Sequence, residues 1–292
     1  MAEESPRLPD PQRELITPEG FTPAADAERR QSKQRAWFWL LLVTAALLGV
    51  ILFLLPPAGF WSKLSAIGYS VCHQIPERSF FAHEHQFPLC ARCTGMYLGA
   101  LLTLLVQLVR GRQSKFPPLA VIIALGALFL IFAADGINSF AGAFLPFPLL
   151  YQTTNLLRLA TGFGAGICIG AVLAPLFHQT VWSDPIPTAF LGNLPRLFAL
   201  IGAAGLLGWA VYSGSDWLKI PLAVLSAFSV ILVLTLAHTI LAVILLNRAN
   251  QYHGWQELRL PLAIGLCAAL AQIVLLDLLR LWLTGTWAAL NL

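Results

Sequence analysis

The stretch NLLRLATGFGAGICIGAVLAPLF, residues 155–177, decides the fold class of this chain. It contains a single charged residue, Arg158, and is longer than the roughly 18 to 20 apolar residues that a helix needs to cross hydrocarbon. Backbone amides in lipid must be satisfied within their own segment, so the stretch predicts a transmembrane helix. Its glycines, Gly162, Gly166 and Gly170, recur at four-residue spacing, which lets a second helix approach closely.

Composition extends this prediction to the whole chain. Of its 292 residues, 58% are hydrophobic and 11% are charged, whereas soluble domains carry about 25% charged residues. We therefore predict an all-α, multi-pass transmembrane helical bundle in the lipid bilayer. The net charge of +4 is too small and scattered to indicate nucleic-acid binding. Seven apolar spans are predicted, at residues 37–56, 88–109, 117–134, 155–177, 189–212, 220–246 and 261–286.

The remaining segments define four regions. Residues 1–36 are polar and proline-containing, and predict a disordered cytoplasmic tail. Residues 37–69 hold the first span and an interrupted segment, which predicts an interfacial helix or a partial re-entry. Residues 70–178 form a membrane domain with a cysteine motif, and residues 179–292 form a C-terminal membrane domain of three spans.

Basic residues predict the orientation. With seven spans, three basic clusters fall on one side of the membrane, which the positive-inside rule places in the cytoplasm. The N-terminus is then cytoplasmic, and the segment between the first two spans is extracytoplasmic. The clusters are Arg29, Arg30, Lys33 and Arg35; Arg110, Arg112 and Lys115; and Arg248 and Arg259.

The extracytoplasmic segment carries the chemistry, in the sequence CHQIPERSFFAHEHQFPLCARCTG of residues 72–95. Pro88 suits the first turn of a helix, which would place Cys90 and Cys93 on one face of its first two turns. The positive end of the helix dipole favours thiolates there. A C-x-x-C pair with Cys72 and His73 supplies the donors of a four-coordinate zinc site, and it also suits copper(I).

Two other interpretations of these cysteines stay open. A disulfide from Cys72 to Cys90 or Cys93 would staple the loop to the helix, and a redox-active C-x-x-C pair would exchange electrons. His83 and His85 are expected to be solvated loop residues. The cysteines inside spans, Cys168 and Cys267, are expected to pack.

Charged residues near hydrocarbon are costly and usually pair or line a polar cavity. Asp135, at the predicted end of span three, and Arg158, at the start of span four, form the expected pair. The pair would be structural, or it would form the wall of a polar pocket with Arg78 and Arg92. Asp277 and Arg280 predict a second pair, within the last span.

Glycines predict which helices touch. Gly95 and Gly99 in span two have the same spacing as Gly162, Gly166 and Gly170 in span four. We expect spans two, three and four to form one tight unit through these faces.

These motifs also carry a resemblance. CHQIPERSF, PLCARCTGMYLG, the Asp–Gly at 135–136 and NLLRLATGFGAG at 155–166 resemble the predicted-membrane-protein family known as domain of unknown function 2085, over about residues 70–175. The resemblance implies no established activity. It implies that the matching positions are the family's signature: Cys72, His73, Gln74, Arg78, Ser79, Cys90, Arg92, Cys93, Gly95, Asp135, Arg158 and Gly162.

Three functions follow from the sequence. The first is an extracytoplasmic Cys/His site that binds zinc or copper. The second is a membrane thiol–disulfide oxidoreductase, and the third is a transporter or assembly subunit with a structural disulfide, whose C-terminal spans bind a membrane partner. The absence of a phosphate loop and of an H-E-x-x-H helix speaks against an NTPase and a hydrolase.

Overall fold

The structure, a computed structural model, describes residues 23–144 and 150–287. Within these residues seven helices are long and apolar enough to cross a membrane, which confirms the predicted multi-pass helical bundle. The spanning helices are α1 (Pro23–Leu54), α3 (Ala91–Arg110), α4 (Leu119–Phe144), α5 (Asn155–Val181), α6 (Leu194–Tyr212), α7 (Asp216–Leu245) and α8 (Arg259–Thr284).

The first helix is longer than the sequence predicted. It begins at Pro23, so residues 23–36, expected to be disordered, are helical. Several good helix formers precede the apolar part of α1, so the helix extends beyond that part in the N-terminal direction. The rest of the predicted tail, residues 1–22, lies outside the described residues.

A short helix and a β-hairpin fill the segment between α1 and α3. The interrupted segment forms helix α2 (Phe60–Tyr69), which at 10 residues is too short to cross hydrocarbon. A 3₁₀ turn (Pro76–Arg78) follows and leads into two antiparallel strands, β1 (Ser79–Ala82) and β2 (His85–Cys90). No strand was predicted here.

The hairpin overturns the predicted start of the second span. Pro88 lies in β2 rather than in the first helical turn, and α3 begins at Ala91. Phe87, Pro88 and Leu89 are all buried, so both faces of this end of β2 are covered by the rest of the protein. Pro88 is tolerated because β2 has a single strand neighbour in this two-stranded sheet.

Helices α3 and α5 form the most extensive interhelical contact. A Cβ at Gly95 would overlap the carbonyl oxygen of Leu159, and a Cβ at Gly162 would overlap that of Arg92. At Gly99 it would lie 2.8 Å from the Phe163 carbonyl oxygen. The predicted glycine faces are thus confirmed, and Gly166 and Gly170 continue them, facing Met96 and Thr103. Helix α4 packs mainly on α5, so the expected unit of three spans centres on α3 and α5.

The C-terminal helices are continuous with this unit. Helix α7 packs on α3, where the Ser229 hydroxyl donates to the Tyr97 carbonyl at 2.6 Å. Helix α8 packs on α7 and α1. Gly265 of α8 permits the close contact with α7, since a Cβ there would overlap the Thr239 hydroxyl.

The two ends of the bundle differ in the residues that they carry. The cysteine end carries the hairpin and the N-termini of α3, α5 and α7, and a contact between His83 and Asp216 ties the hairpin to α7. The basic end carries the opposite helix ends and the basic residues Arg110, Arg112, Lys115, Arg248 and Arg259.

Candidate metal centre

Three cysteines converge at the cysteine end. Cys72 lies in the loop after α2, Cys90 ends β2, and Cys93 lies in the first turn of α3. Their sulfur atoms all lie within 4.8 Å of one another, and all three are free thiols. Cys72 is 5% exposed, and the other two are half-buried. The predicted combination of the C-x-x-C with the upstream cysteine is therefore present as one cluster, which we call the sulfur cluster.

The loop that carries Cys72 is fixed by glutamine side chains. Gln74, at a φ of 55°, donates from its side chain to the carbonyls of Ser65 at 2.8 Å and Pro88 at 2.7 Å. The Gln86 side chain donates to the Gln74 carbonyl at 2.6 Å. These bonds connect the loop to α2 and to β2, so that Cys72 meets the start of α3.

Close packing of α2 on β2 is part of the same arrangement. A Cβ at Gly68 would overlap the carbonyl oxygen of Pro88, the oxygen that also accepts from Gln74. Only glycine permits this approach of a helix to a strand. Sequence analysis did not identify Gly68, because a lone glycine in a short helix has no spacing pattern.

Backbone amides point at the cluster. The N–H of Cys90 donates to Cys72 Sγ at 3.2 Å, and that of Gln74 donates to the same sulfur at 3.4 Å. Hydrogen bonds from N–H groups stabilise a sulfur that carries negative charge, as a thiolate or as a metal ligand.

Two of these thiols, at Cys72 and Cys90, have pKa values shifted in opposite directions. The pKa of Cys90 is lowered well below 9.0, because the thiols of Cys72 and Cys93 donate to it and the amides of Cys93 and Arg92 add to the effect. The pKa of Cys72 is raised to about 12, first because its thiol proton is held by Cys90 and also because it is buried. Cys90 occupies the N-cap of α3, where the helix dipole favours a thiolate.

His73 does not join the sulfur cluster. Among the described residues, the group of ligand atoms within 4.8 Å contains the three sulfurs and no imidazole nitrogen. The His73 side chain is exposed and lines the adjacent cavity. Three of the four predicted ligands are therefore together, and the fourth stands at the edge.

The cavity beside the cluster has a volume of about 150 Å³. It is open to the surface and is lined largely by charged and sulfur-bearing side chains. Its lining consists of Cys72, His73, Ile75, Arg78, Cys90, Arg92, Cys93 and Arg158. The polar pocket suggested by the sequence thus contains all three of the predicted arginines.

Asp135 pairs with a different arginine from the one predicted. Its carboxylate forms an ion pair with Arg92 and accepts a hydrogen bond from the Tyr151 hydroxyl at 3.0 Å. The predicted pair with Arg158 is wrong. Helix α4 continues to Phe144, so Asp135 lies inside the helix and is 0% exposed. Helices α3 and α4 both pack on α5, and Arg92 in the first turn of α3 thereby reaches this carboxylate.

Arg158 is instead held by neutral groups. It donates to Asn155 Oδ1 at 2.8 Å and to Ser139 Oγ at 3.4 Å. Asn155 also donates to the carbonyls of Glu77 and Ser79, which flank Arg78. One side chain thus connects the start of α5 to the 3₁₀ turn and brings Arg78 and Arg158 to the same cavity.

The last helix supplies a residue that sequence analysis placed in another role. Arg280 was predicted to pair with Asp277, but no ion pair joins them among the described residues. Arg280 donates instead to the carbonyls of Tyr69 at 2.7 Å and Cys72 at 2.6 Å, and its guanidinium stacks on the Tyr69 ring. The available signal was a cation in an apolar span, which indicates a buried polar partner without naming it.

The other histidines and cysteines lie away from the cluster, as the sequence suggested. His83 contacts Asp216 at 3.1 Å, and His85 stacks on Trp61. The thiols of Cys168 and Cys267 donate to the backbone carbonyls of Leu125 and Leu41 between helices.

The fold and this centre define a multi-spanning helical membrane protein with a trithiol cluster at one end. Residues 72–172 match the family described as predicted membrane protein, domain of unknown function 2085. An uncharacterised protein of Methanothermobacter thermautotrophicus is 34% identical over 108 residues, which cover 37% of this chain and 88% of that relative. The chain belongs to this family.

A second relative covers more of the chain. An uncharacterised protein of Methanocaldococcus jannaschii is 29% identical over 162 residues, which cover 51% of this chain and 97% of that relative. Nearly the whole of each relative thus corresponds to about half of this chain or less. No solved structure matches the chain.

Proposed function

We propose that this protein binds one soft metal ion, zinc or copper(I), at Cys72, Cys90 and Cys93. The observation that carries the proposal is the convergence of three free sulfurs within 4.8 Å of one another from three separate elements. Zinc–sulfur bonds of about 2.3 Å place the sulfurs of a tetrahedral site about 3.8 Å apart. A small contraction of the cluster would reach that spacing.

The donor set favours a metal of this class. Thiolates select zinc and copper(I) over the hard cations that prefer oxygen. The amides of Cys90 and Gln74 already point at Cys72 Sγ, as they would at a coordinated thiolate. Copper(I) is satisfied by three sulfurs, whereas zinc needs a fourth ligand, for which His73 in the lining of the cavity is available.

The residues around the cluster assist this chemistry. The guanidiniums of Arg78, Arg92 and Arg158 line the cavity and offset the charge of three thiolates. Arg280 holds the backbone on either side of Cys72 and so orients that ligand. When bound, the metal would supply a Lewis acid or a transferable cargo at this position.

We place the cluster on the extracytoplasmic side. The support is the charge distribution, because basic residues gather at the opposite end of the bundle. Labelling of intact cells with a membrane-impermeant thiol reagent tests this. Glu84→Cys in the hairpin turn should react above the wild-type level, and Ala249→Cys at the basic end should not. The reverse pattern would contradict the orientation.

Elemental analysis of the detergent-purified protein tests the metal site. Wild type and Cys168→Ser, a matched cysteine variant outside the cluster, should each carry about one zinc or copper per chain. Cys90→Ser and Cys93→Ser should lose it while retaining the circular dichroism of the folded helices. Wild type without metal after growth and purification with added zinc and copper, or retention in both cluster variants, would overturn the proposal.

A second candidate is thiol–disulfide exchange. The lowered pKa of Cys90 at the start of α3 favours it, since a thiolate is the attacking group in such reactions. Oxidation would join Cys90 and Cys93 in a disulfide and pass two electrons and two protons to an oxidised partner, such as another protein's disulfide. Metal-free protein whose cluster cycles between three thiols and one thiol in a redox titration would favour this candidate.

A further inference from the structure

We propose that the cavity beside the sulfur cluster binds a small oxyanion of the phosphate, sulfate or carboxylate class. Arg78, Arg92 and Arg158 hold this anion next to the sulfurs. The inference that this anion lies beside a bound metal rests on the proposed function. The binding of the anion itself depends only on the arginines.

The cavity carries uncompensated positive charge. Three guanidiniums line it, and its lining contains no carboxylate. Asp135, which is not part of the lining, neutralises Arg92 through an ion pair. Arg78 and Arg158 form no ion pair with a described residue. Two positive charges therefore face a small, partly buried space, where uncompensated charge is costly.

The guanidinium donors of the cavity are arranged to receive an oxyanion. Arg158 is held in place by Asn155 and Ser139, and Arg92 is held by Asp135. The backbone N–H of Arg78 donates to the Ile75 carbonyl, but its side chain has no hydrogen-bond partner among the described residues, so its planar fork of donors is available to a ligand. Arginine forks match the oxygen geometry of carboxylates and phosphates.

The position and the size of the cavity also suit a small anion. The cavity lies against the first turn of α3, whose dipole favours negative charge. A volume of about 150 Å³ admits a small anion with little room for a larger molecule. The same chemistry would be offered by a free anion from the solution and by the phosphate of a lipid headgroup.

Calorimetric titration of the detergent-purified full chain with inorganic phosphate tests the inference. Wild type and Arg110→Gln, a control at the basic end, should bind it saturably with the same affinity. Arg78→Gln and Arg158→Gln should each raise the Kd at least about tenfold, the effect of losing one charged hydrogen bond. Because Arg78 bonds to no described side chain, its variant should fold normally even if Arg158→Gln does not. Absence of saturable binding, or an Arg78→Gln affinity equal to wild type, would overturn the inference.

Two further arms separate this inference from the metal proposal and identify the source of the anion. Phosphate binding that persists in Cys90→Ser would show that the anion site stands without the metal. Metal binding without phosphate binding would overturn this inference alone. In nanodiscs, phosphate binding that is blocked by phosphatidylglycerol but not by phosphatidylcholine identifies a lipid headgroup as the ligand. Phosphate binding that is equal in both identifies a free anion.

Discussion

The two ends of the bundle handle arginine and its neighbours in different ways. At the basic end, Arg112 stacks on the buried ring of Trp182 at 3.8 Å and donates to the His253 carbonyl at 2.9 Å. Trp182 in turn donates to His178 at 2.8 Å. At the cysteine end, the Arg78 side chain has no such partner among the residues that the structure describes, and three sulfurs share an open cavity with three arginines.

This difference separates a structural cluster from a candidate binding site. At the basic end, the guanidinium of Arg112 is satisfied by an aromatic ring and a backbone carbonyl, so its interactions hold loops together. The cysteine end leaves charges and donors facing a cavity, which stable packing alone does not require. Functional sites are where such unsatisfied arrangements are expected.

The largest effect is expected from a methyl group between α3 and α5. Gly162→Ala would drive a Cβ into the Arg92 carbonyl, so the two helices must separate and the cysteine end should lose its arrangement. We expect a destabilisation of about 3 kcal/mol or more, measured by thermal unfolding in detergent. Gly202→Ala is the control, since no atom lies within 4 Å of its Cβ position. Equal stability of the two variants would contradict the close contact.

The next effect is on the reactivity of the sulfurs in metal-free protein. The thiolate of Cys90 forms as pH rises through its lowered pKa, so at pH 9 it is ionised, whereas Cys72 with a pKa of about 12 is not. Alkylation at pH 9, located by mass spectrometry, should therefore be about a thousandfold faster at Cys90 than at Cys72. Equal rates at both positions would contradict the opposite pKa shifts of the two thiols.

A smaller effect is expected from the residue that α8 contributes. Arg280→Met removes the donors to the Tyr69 and Cys72 carbonyls and should cost about 1.5 to 3 kcal/mol of stability. It should also weaken metal binding about tenfold, because the Cys72 ligand loses its orientation. Arg248→Met, exposed at the basic end, is the matched control and should change neither quantity. Unchanged metal affinity in Arg280→Met would remove α8 from the centre.

The smallest effect is expected at the basic end itself. Arg112→Lys keeps the charge but loses the planar stacking on Trp182, which should cost about 1 kcal/mol. Metal content and phosphate affinity should remain those of wild type. A loss of either would show that the two ends are coupled, and the contrast between them would no longer hold.

Much of the cysteine end could be predicted from local sequence. The C-x-x-C spacing indicated that Cys90 and Cys93 lie together, and Cys72 was grouped with them because its thiol is a third donor of the same type. The ion pair of Asp135 could not be predicted, because Arg92 and Arg158 both lie in the first turn of a helix at the same end of the bundle. The choice between them depends on how α3 and α4 both pack on α5. The hairpin was also missed, since Pro88 fits a first helical turn as well as it fits an edge strand.

The sequence by itself determined the seven spans, the glycine faces and the group of cysteines that meet. These depend on hydrophobicity and spacing along the chain, which sum locally and need no knowledge of distant contacts. The tertiary structure alone decided that His73 lies apart from the sulfurs and that Arg92 forms the ion pair with Asp135. It alone also decided that Arg280 of the last helix donates hydrogen bonds to the loop that carries Cys72. Each of these depends on which groups are brought within hydrogen-bond reach when helices far apart in sequence pack together, and no local pattern records that distance.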